Sequence, residues 1–143
     1  LQQICDALHH VHRYGTTYKN LTTESVLYTG DGEIKLRGVL DQFDEPDQWY
    51  NAPEEFGGEY TEQSAVYRIG LIAYELFTGK LPYPEYPNGE PEAAVQDAKL
   101  NWMDEQLSDN SADVAATLEK ALAHSPEDRY ETVLHMRDAF EQI

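Results

Sequence analysis

Between Ala65 and Phe77 the chain carries Val66, Ile69, Leu71, Ile72, Ala73, Leu76 and Phe77, which leaves a helix there apolar on nearly every side. Such a helix has little polar face to offer water, so it belongs at the centre of a domain with other elements wrapped around it. Thr61 or Ser64 supplies a cap, and Gly79 supplies a stop just beyond Phe77. With 143 residues in the chain, one domain with a sizeable core is the natural frame, and residues 1–143 read as a single unit.

The elements around that helix read as mostly helical. Leu1 to Arg13 sets Ile4, Leu8 and Val11 at helical spacing, with Gly15 as a stop. Val26–Tyr28 and Glu33–Leu36 flank Thr29, Gly30, Asp31 and Gly32, a strong hairpin signal. Residues 38–62 form an irregular acidic stretch without Lys or Arg. Pro82, Pro84, Pro87 and Pro91 mark a loop, and a weaker helix is expected over Glu92 to Lys99. Val114, Leu118 and Leu122 define a further amphipathic helix. Ser125-Pro126-Glu127-Asp128 resembles a cap with Pro at the first helical position, before a last helix with Val133, Met136 and Phe140 inward. The fold class expected is mainly α with one short β-hairpin.

Charge narrows the partners. The chain has 27 acidic and 10 basic residues, a net charge of −17, and such a field repels nucleic acid and anionic lipid. An acidic, lysine-poor chain with an ordinary apolar fraction resembles proteins from the salt-rich cytosol of halophilic archaea, where salt screens self-repulsion. Cys5 stands alone, so neither a disulfide framework nor a cysteine metal site is expected, and it is read as facing the core of the first helix. His9, His10 and His12 cannot share one helix face, which argues against a zinc cluster. The ten tyrosines look like a recognition surface by composition. Neither a membrane span nor a signal peptide is visible, so a cytoplasmic location is expected.

Six landmarks then occur in one order. The first helix ends Leu8-His9-His10-Val11-His12-Arg13-Tyr14-Gly15. Tyr18-Lys19-Asn20-Leu21 is followed by Ser25 and two apolar residues. Ala52-Pro53-Glu54 follows Tyr50-Asn51, and Ser64 opens Ala65-Val66-Tyr67-Arg68-Ile69-Gly70. Tyr74-Glu75-Leu76-Phe77-Thr78-Gly79-Lys80-Leu81-Pro82-Tyr83 ends the central helix, and Pro126-Glu127-Asp128-Arg129-Tyr130 comes last. In this order they resemble the C-terminal lobe of eukaryotic-type Ser/Thr protein kinases, an α+β superfamily, across the whole chain. The family's nucleotide-binding N-terminal lobe, with its Gly-rich loop and Lys, has no counterpart within it.

The resemblance implies a catalytic loop, H-R-D-L-x-x-x-N, whose chemistry is altered. Asn20 stands where the family has its proton acceptor, and an amide does not take up a proton near neutral pH. That loss alone is worth about a hundred- to ten-thousand-fold in rate. Thr22 occupies the usual Lys position. Ser25 replaces the metal-binding Asn, and Gly38-Val39-Leu40 replaces D-F-G, so a short neutral hydroxyl and a bare glycine stand for two hard oxygen ligands. Asp41 lies three residues too late to replace the lost ligand without a register shift. Ala65 stands for the Asp that anchors the loop, while Tyr18 and Val39 change an internal apolar stack.

No productive binding of ATP or magnesium is therefore expected, and no metal site. Leu27 matches an apolar residue beneath adenine and offers a weak nucleotide contact. Glu54 and Arg129 match the family's buried structural ion pair. From Gly38 to Glu54 there is no Ser or Thr, and Tyr50 is the segment's only phosphorylatable hydroxyl.

The expectation is a pseudokinase with a regulatory or binding role, served by a protein partner or fused upstream domains. The alternative is a divergent Ser/Thr kinase active only with its upstream lobe. Oligomeric state is left open.

Overall fold

A computed structural model describes residues 2–13, 26–36, 48–79, 82–83, 91–96 and 112–143. Helix α1 spans Gln2–Arg13, and strands β1 (Val26–Tyr28) and β2 (Ile34–Leu36) form the hairpin. Two short 3-10 turns follow, Gln48–Tyr50 and Pro53–Gly57. The central helix α2 is Glu62–Thr78, α3 is Pro91–Gln96, α4 is Ala112–Ala121 and α5 is Val133–Glu141. The described residues are thus mainly helical with a single hairpin, as the periodicity predicts. Residues 97–99 of the expected third helix lie outside the described residues.

Helix α2 is the hub. Every residue from Ser64 to Tyr74 is buried, and α1, α4 and α5 pack against it. Its start is capped by Thr61, whose backbone N–H donates to Ser64 Oγ at 3.0 Å. Its end is closed by Gly79 in the left-handed region at φ 79°, a conformation that favours glycine. Gly70 serves a different purpose. A Cβ there would lie 2.9 Å from Leu122 Cδ2 and 3.2 Å from Ala121 Cβ, so its absence lets α2 approach the end of α4.

Burial along α2 stops earlier than the sequence pattern suggests. Leu76 is 67 % exposed and Phe77 44 %, although apolarity continues through both. Pattern alone does not report where neighbouring elements end. Tyr50, Tyr67, Tyr74 and Tyr83 are buried, as is Cys5. Among the described residues, the Tyr74 hydroxyl is the buried side-chain polar atom with no hydrogen-bond partner.

The hairpin pairs Val26 with Leu36, Leu27 with Lys35 and Tyr28 with Ile34. Its second strand begins at Ile34 because Glu33 closes the turn, its carbonyl accepting from the Thr29 N–H at 3.1 Å. Gln3 of α1 fixes the hairpin: its Nε2 donates to the Gly32 carbonyl at 2.8 Å, and its Oε1 accepts from the Ile34 N–H at 2.6 Å. At the other end, Pro126–Asp128 is a separate 3-10 turn and not the first turn of the last helix. Helix α5 starts after Thr132, whose Oγ1 accepts from the His135 N–H at 3.1 Å. Inward-facing Val133 and Met136 are fully buried, and Phe140 packs at the margin of the core.

Candidate functional site

The segment from Tyr50 to Gly57 lies along α2, meeting it at Ser64, Arg68 and Glu75, and is held by side chains more than by its own backbone. Its backbone hydrogen bonds are short-range turns, such as Glu55 N–H to the Ala52 carbonyl at 3.0 Å. Turns of that type are poorly self-supporting. Two consecutive glutamates instead reach to two different arginines.

Glu54 meets Arg129 in a bidentate pair, Nη1 to Oε1 at 2.7 Å and Nη2 to Oε2 at 2.9 Å. Arg129 also donates from Nε to the Ala123 carbonyl at 2.7 Å, from Nη1 to the Gln63 carbonyl at 3.0 Å and from Nη2 to the His124 carbonyl at 2.9 Å. A guanidinium has five N–H donors, and here each has an acceptor. Tyr67 lies beneath it, with the ring centroid 4.8 Å from Cζ, and its hydroxyl is 3.1 Å from that of Tyr83. Ser64 Oγ donates to Glu54 Oε1 at 2.8 Å. Burial opposes the charge on Glu54. Hydrogen bonds from Arg129, its own backbone N–H and Ser64 outweigh burial and hold the carboxyl below its ordinary range.

Glu55 meets Arg68 of α2, with Nε to Oε1 at 2.9 Å and Nη2 to Oε2 at 2.6 Å. Nη2 also donates to Asn51 Oδ1 at 2.6 Å. Upstream, the Tyr50 hydroxyl donates to Glu75 Oε2. Ser64, Arg68 and Glu75 recur at four and seven residues, which places them on one face of α2. A polar stripe therefore runs along the most buried helix. Of its members, Arg68 is a charged residue inside an apolar run. The charge marks the position as unusual, but its partner, Glu55, becomes evident only from the path of the chain.

Of the residues expected to form the site, Glu54 and Arg129 come together. Leu27 sits on β1, 46 % exposed. Asn20, Thr22, Ser25 and Gly38, together with Tyr18, Lys19, Val39, Leu40 and Asp41, lie outside the described residues. Ala65, where the family's loop-anchoring Asp is expected, is fully buried in the core and offers only a methyl group. Among the described residues, no three His, Cys, Asp or Glu side chains are grouped to hold a metal ion, and no helix is long and apolar enough to cross a membrane.

Comparison with known proteins agrees with this geometry. The family model of the protein kinase domain matches residues 1–140. The serine/threonine-protein kinase Pkn1 of Myxococcus xanthus is 31% identical over 165 residues, covering 99% of this chain and 23% of that protein. The serine/threonine-protein kinase PknB of Mycolicibacterium smegmatis is 27% identical over 152 residues, covering 93% of this chain and 24% of its own length. A Dictyostelium discoideum protein named a probable inactive serine/threonine-protein kinase is 36% identical over 81 residues, 52% of this chain and 38% of that protein. The chain thus spans about a quarter of the length of Pkn1 and PknB. Among solved structures, Rad53 in complex with AMP-PNP superposes with a TM-score of 0.76 at 19% identity, over 99% of this chain and 38% of that one. That likeness is one of fold, with the described helices and hairpin corresponding to a kinase C-terminal lobe. From the family model over nearly its whole length, the chain belongs to the protein kinase family.

Proposed function

We propose that this domain is a catalytically impaired kinase lobe, a pseudokinase, acting as a regulatory or protein-binding module. One contrast carries the reading. The scaffold pair Glu54–Arg129 is complete, with every guanidinium N–H accepted, while the positions that perform chemistry hold Asn20, Ser25 and Gly38. The donor set does not fit magnesium, which favours hard oxygen ligands in octahedral array. Ser25 offers one neutral hydroxyl, and Gly38 offers no side-chain oxygen. Buried Ala65 supports the same reading, since a methyl group cannot hydrogen-bond a catalytic loop.

The partner on this reading is another protein or a fused upstream domain, reached in the cytoplasm of a cell with salt-rich contents. The acidic surface favours basic partners over nucleic acid. The Dictyostelium relative, named as probably inactive, supports the reading by analogy.

A second reading is favoured by the names of Pkn1 and PknB: a divergent serine/threonine kinase whose upstream lobe supplies what this lobe lacks. Thermal unfolding of the full-length protein, with ATP in the presence and absence of magnesium, separates the two. The pseudokinase predicts no magnesium-dependent rise in midpoint and no phosphate transfer to a basic peptide. A clear magnesium-dependent rise with transfer favours the enzyme.

A further inference from the structure

We propose that Arg68 and Glu55 form a charge-paired latch that holds residues 50–57 against α2 without help from a phosphorylated residue. The latch concerns the order of the segment and holds for either reading of activity.

A guanidinium on the central helix is costly to bury. Arg68 is 1 % exposed, and an apolar side chain in such a place generally matches or exceeds an ion pair in stability. The contribution of Arg68 therefore lies in where it reaches. It crosses from α2 to Glu55 with two donors and to Asn51 with one of them, at 2.6 to 2.9 Å. Both partners belong to the segment whose own backbone bonds are only short turns.

The pair complements the one made by Arg129. Glu54 fixes the segment to the loop before α5 and, through Ser64 Oγ, to the start of α2, and attachment through one residue leaves the segment free to pivot. Glu55 adds a second point of attachment one turn further along α2, one residue on in the segment. Tyr50 supplies a third contact through Glu75, so Glu75, Arg68 and Ser64 hold the segment along one stripe of α2. Segments of this kind are commonly ordered by a phosphate facing arginines. Here residues 48–57 contain no Ser or Thr, and Tyr50 is 6 % exposed with its hydroxyl engaged. Glu55 supplies the anion that a phosphate would otherwise bring, and it is present at all times.

Amide hydrogen exchange on the intact chain in molar KCl tests this, comparing wild type with Arg68→Met and with Arg68→Met/Glu55→Met. The double variant leaves no buried charge unpaired, so it separates the latch from a simple charge-burial defect. Exchange over residues 48–60 is expected to quicken by about tenfold or more in the double variant, with residues 112–143 unchanged, the signature of local opening. Wild-type protection over 48–60 in the double variant overturns the latch. So does acceleration of 112–143 to the same degree, or loss of the whole fold, because either makes the pair a general stabiliser.

Discussion

Arg129 grips Glu54 with both arms of its guanidinium, at 2.7 and 2.9 Å, across 75 residues of sequence. The pair ties the segment before α2 to the turn before α5, and three backbone carbonyls complete the set of acceptors. Substituting Arg129→Ala leaves the Glu54 carboxylate and those carbonyls without it. Loss of one partner from a buried pair typically costs about 3–5 kcal/mol. Arg129→Lys is expected to recover only part of this, because an ammonium cannot reproduce the planar fork. Urea unfolding in molar KCl measures both; a shift within about 0.5 kcal/mol of wild type for Arg129→Ala contradicts the structural role assigned here.

The same pair sets a pH dependence. The folded state holds the Glu54 carboxyl below its ordinary range, so folding favours the ionised form. Its contribution is complete above the unfolded carboxylate value, about 4.3, and is lost as pH falls through the lower folded value. Wild type should therefore exceed Glu54→Gln in urea midpoint near neutral pH, and the gap should close as pH falls below the ordinary carboxylate range and through the lower folded value. Working with the difference cancels the other carboxylates, which titrate in both proteins. A gap that stays constant across that window excludes Glu54 as the group responsible.

How far the sequence revealed these relationships depended on the kind of signal. Glu54 and Arg129 were legible because each sits in a short motif that names its partner. The hairpin was legible because Gly30 and Gly32 flank Asp31 between Val26-Leu27-Tyr28 and Ile34-Lys35-Leu36, two short runs that suit strands. Arg68 was not, because a lone charge in an apolar helix does not say whether it escapes to solvent or finds a carboxylate. Only the fold brings Glu55 within 2.6 Å of it. Leu76 and Phe77 show the opposite limit: helical apolarity predicts burial, yet burial depends on what lies alongside.

Two buried tyrosines should respond in opposite directions to loss of the hydroxyl. Tyr74 is fully buried and its hydroxyl has no partner among the described residues, a condition that costs about 1–3 kcal/mol relative to a satisfied group. Tyr74→Phe is expected to be neutral or stabilising by up to about that amount. Tyr50 donates to the half-buried Glu75 carboxylate, and hydrogen bonds to charged groups contribute about 1.5–3 kcal/mol. Tyr50→Phe should destabilise by an amount in or just below that range. Thermal midpoints of the two single variants provide the comparison, and equal losses in both contradict the assigned bonding.

Salt should act on this fold through its surface. The net charge is −17, so exposed carboxylates repel one another in the compact state. The pairs Glu54–Arg129 and Glu55–Arg68 are buried and little screened, whereas surface repulsion is strongly damped as the Debye length falls from about 10 Å at 0.1 M to about 3 Å at 1 M. The thermal midpoint should therefore rise with KCl over that range. Neutralising exposed Asp31, Glu59, Glu119 and Glu131 together, as Asn or Gln, should raise the low-salt midpoint and flatten the salt response. A midpoint indifferent to KCl in the wild-type chain means that self-repulsion does not limit its stability. If the response is as steep in the neutralised variant, bulk salting-out and not surface charge is responsible.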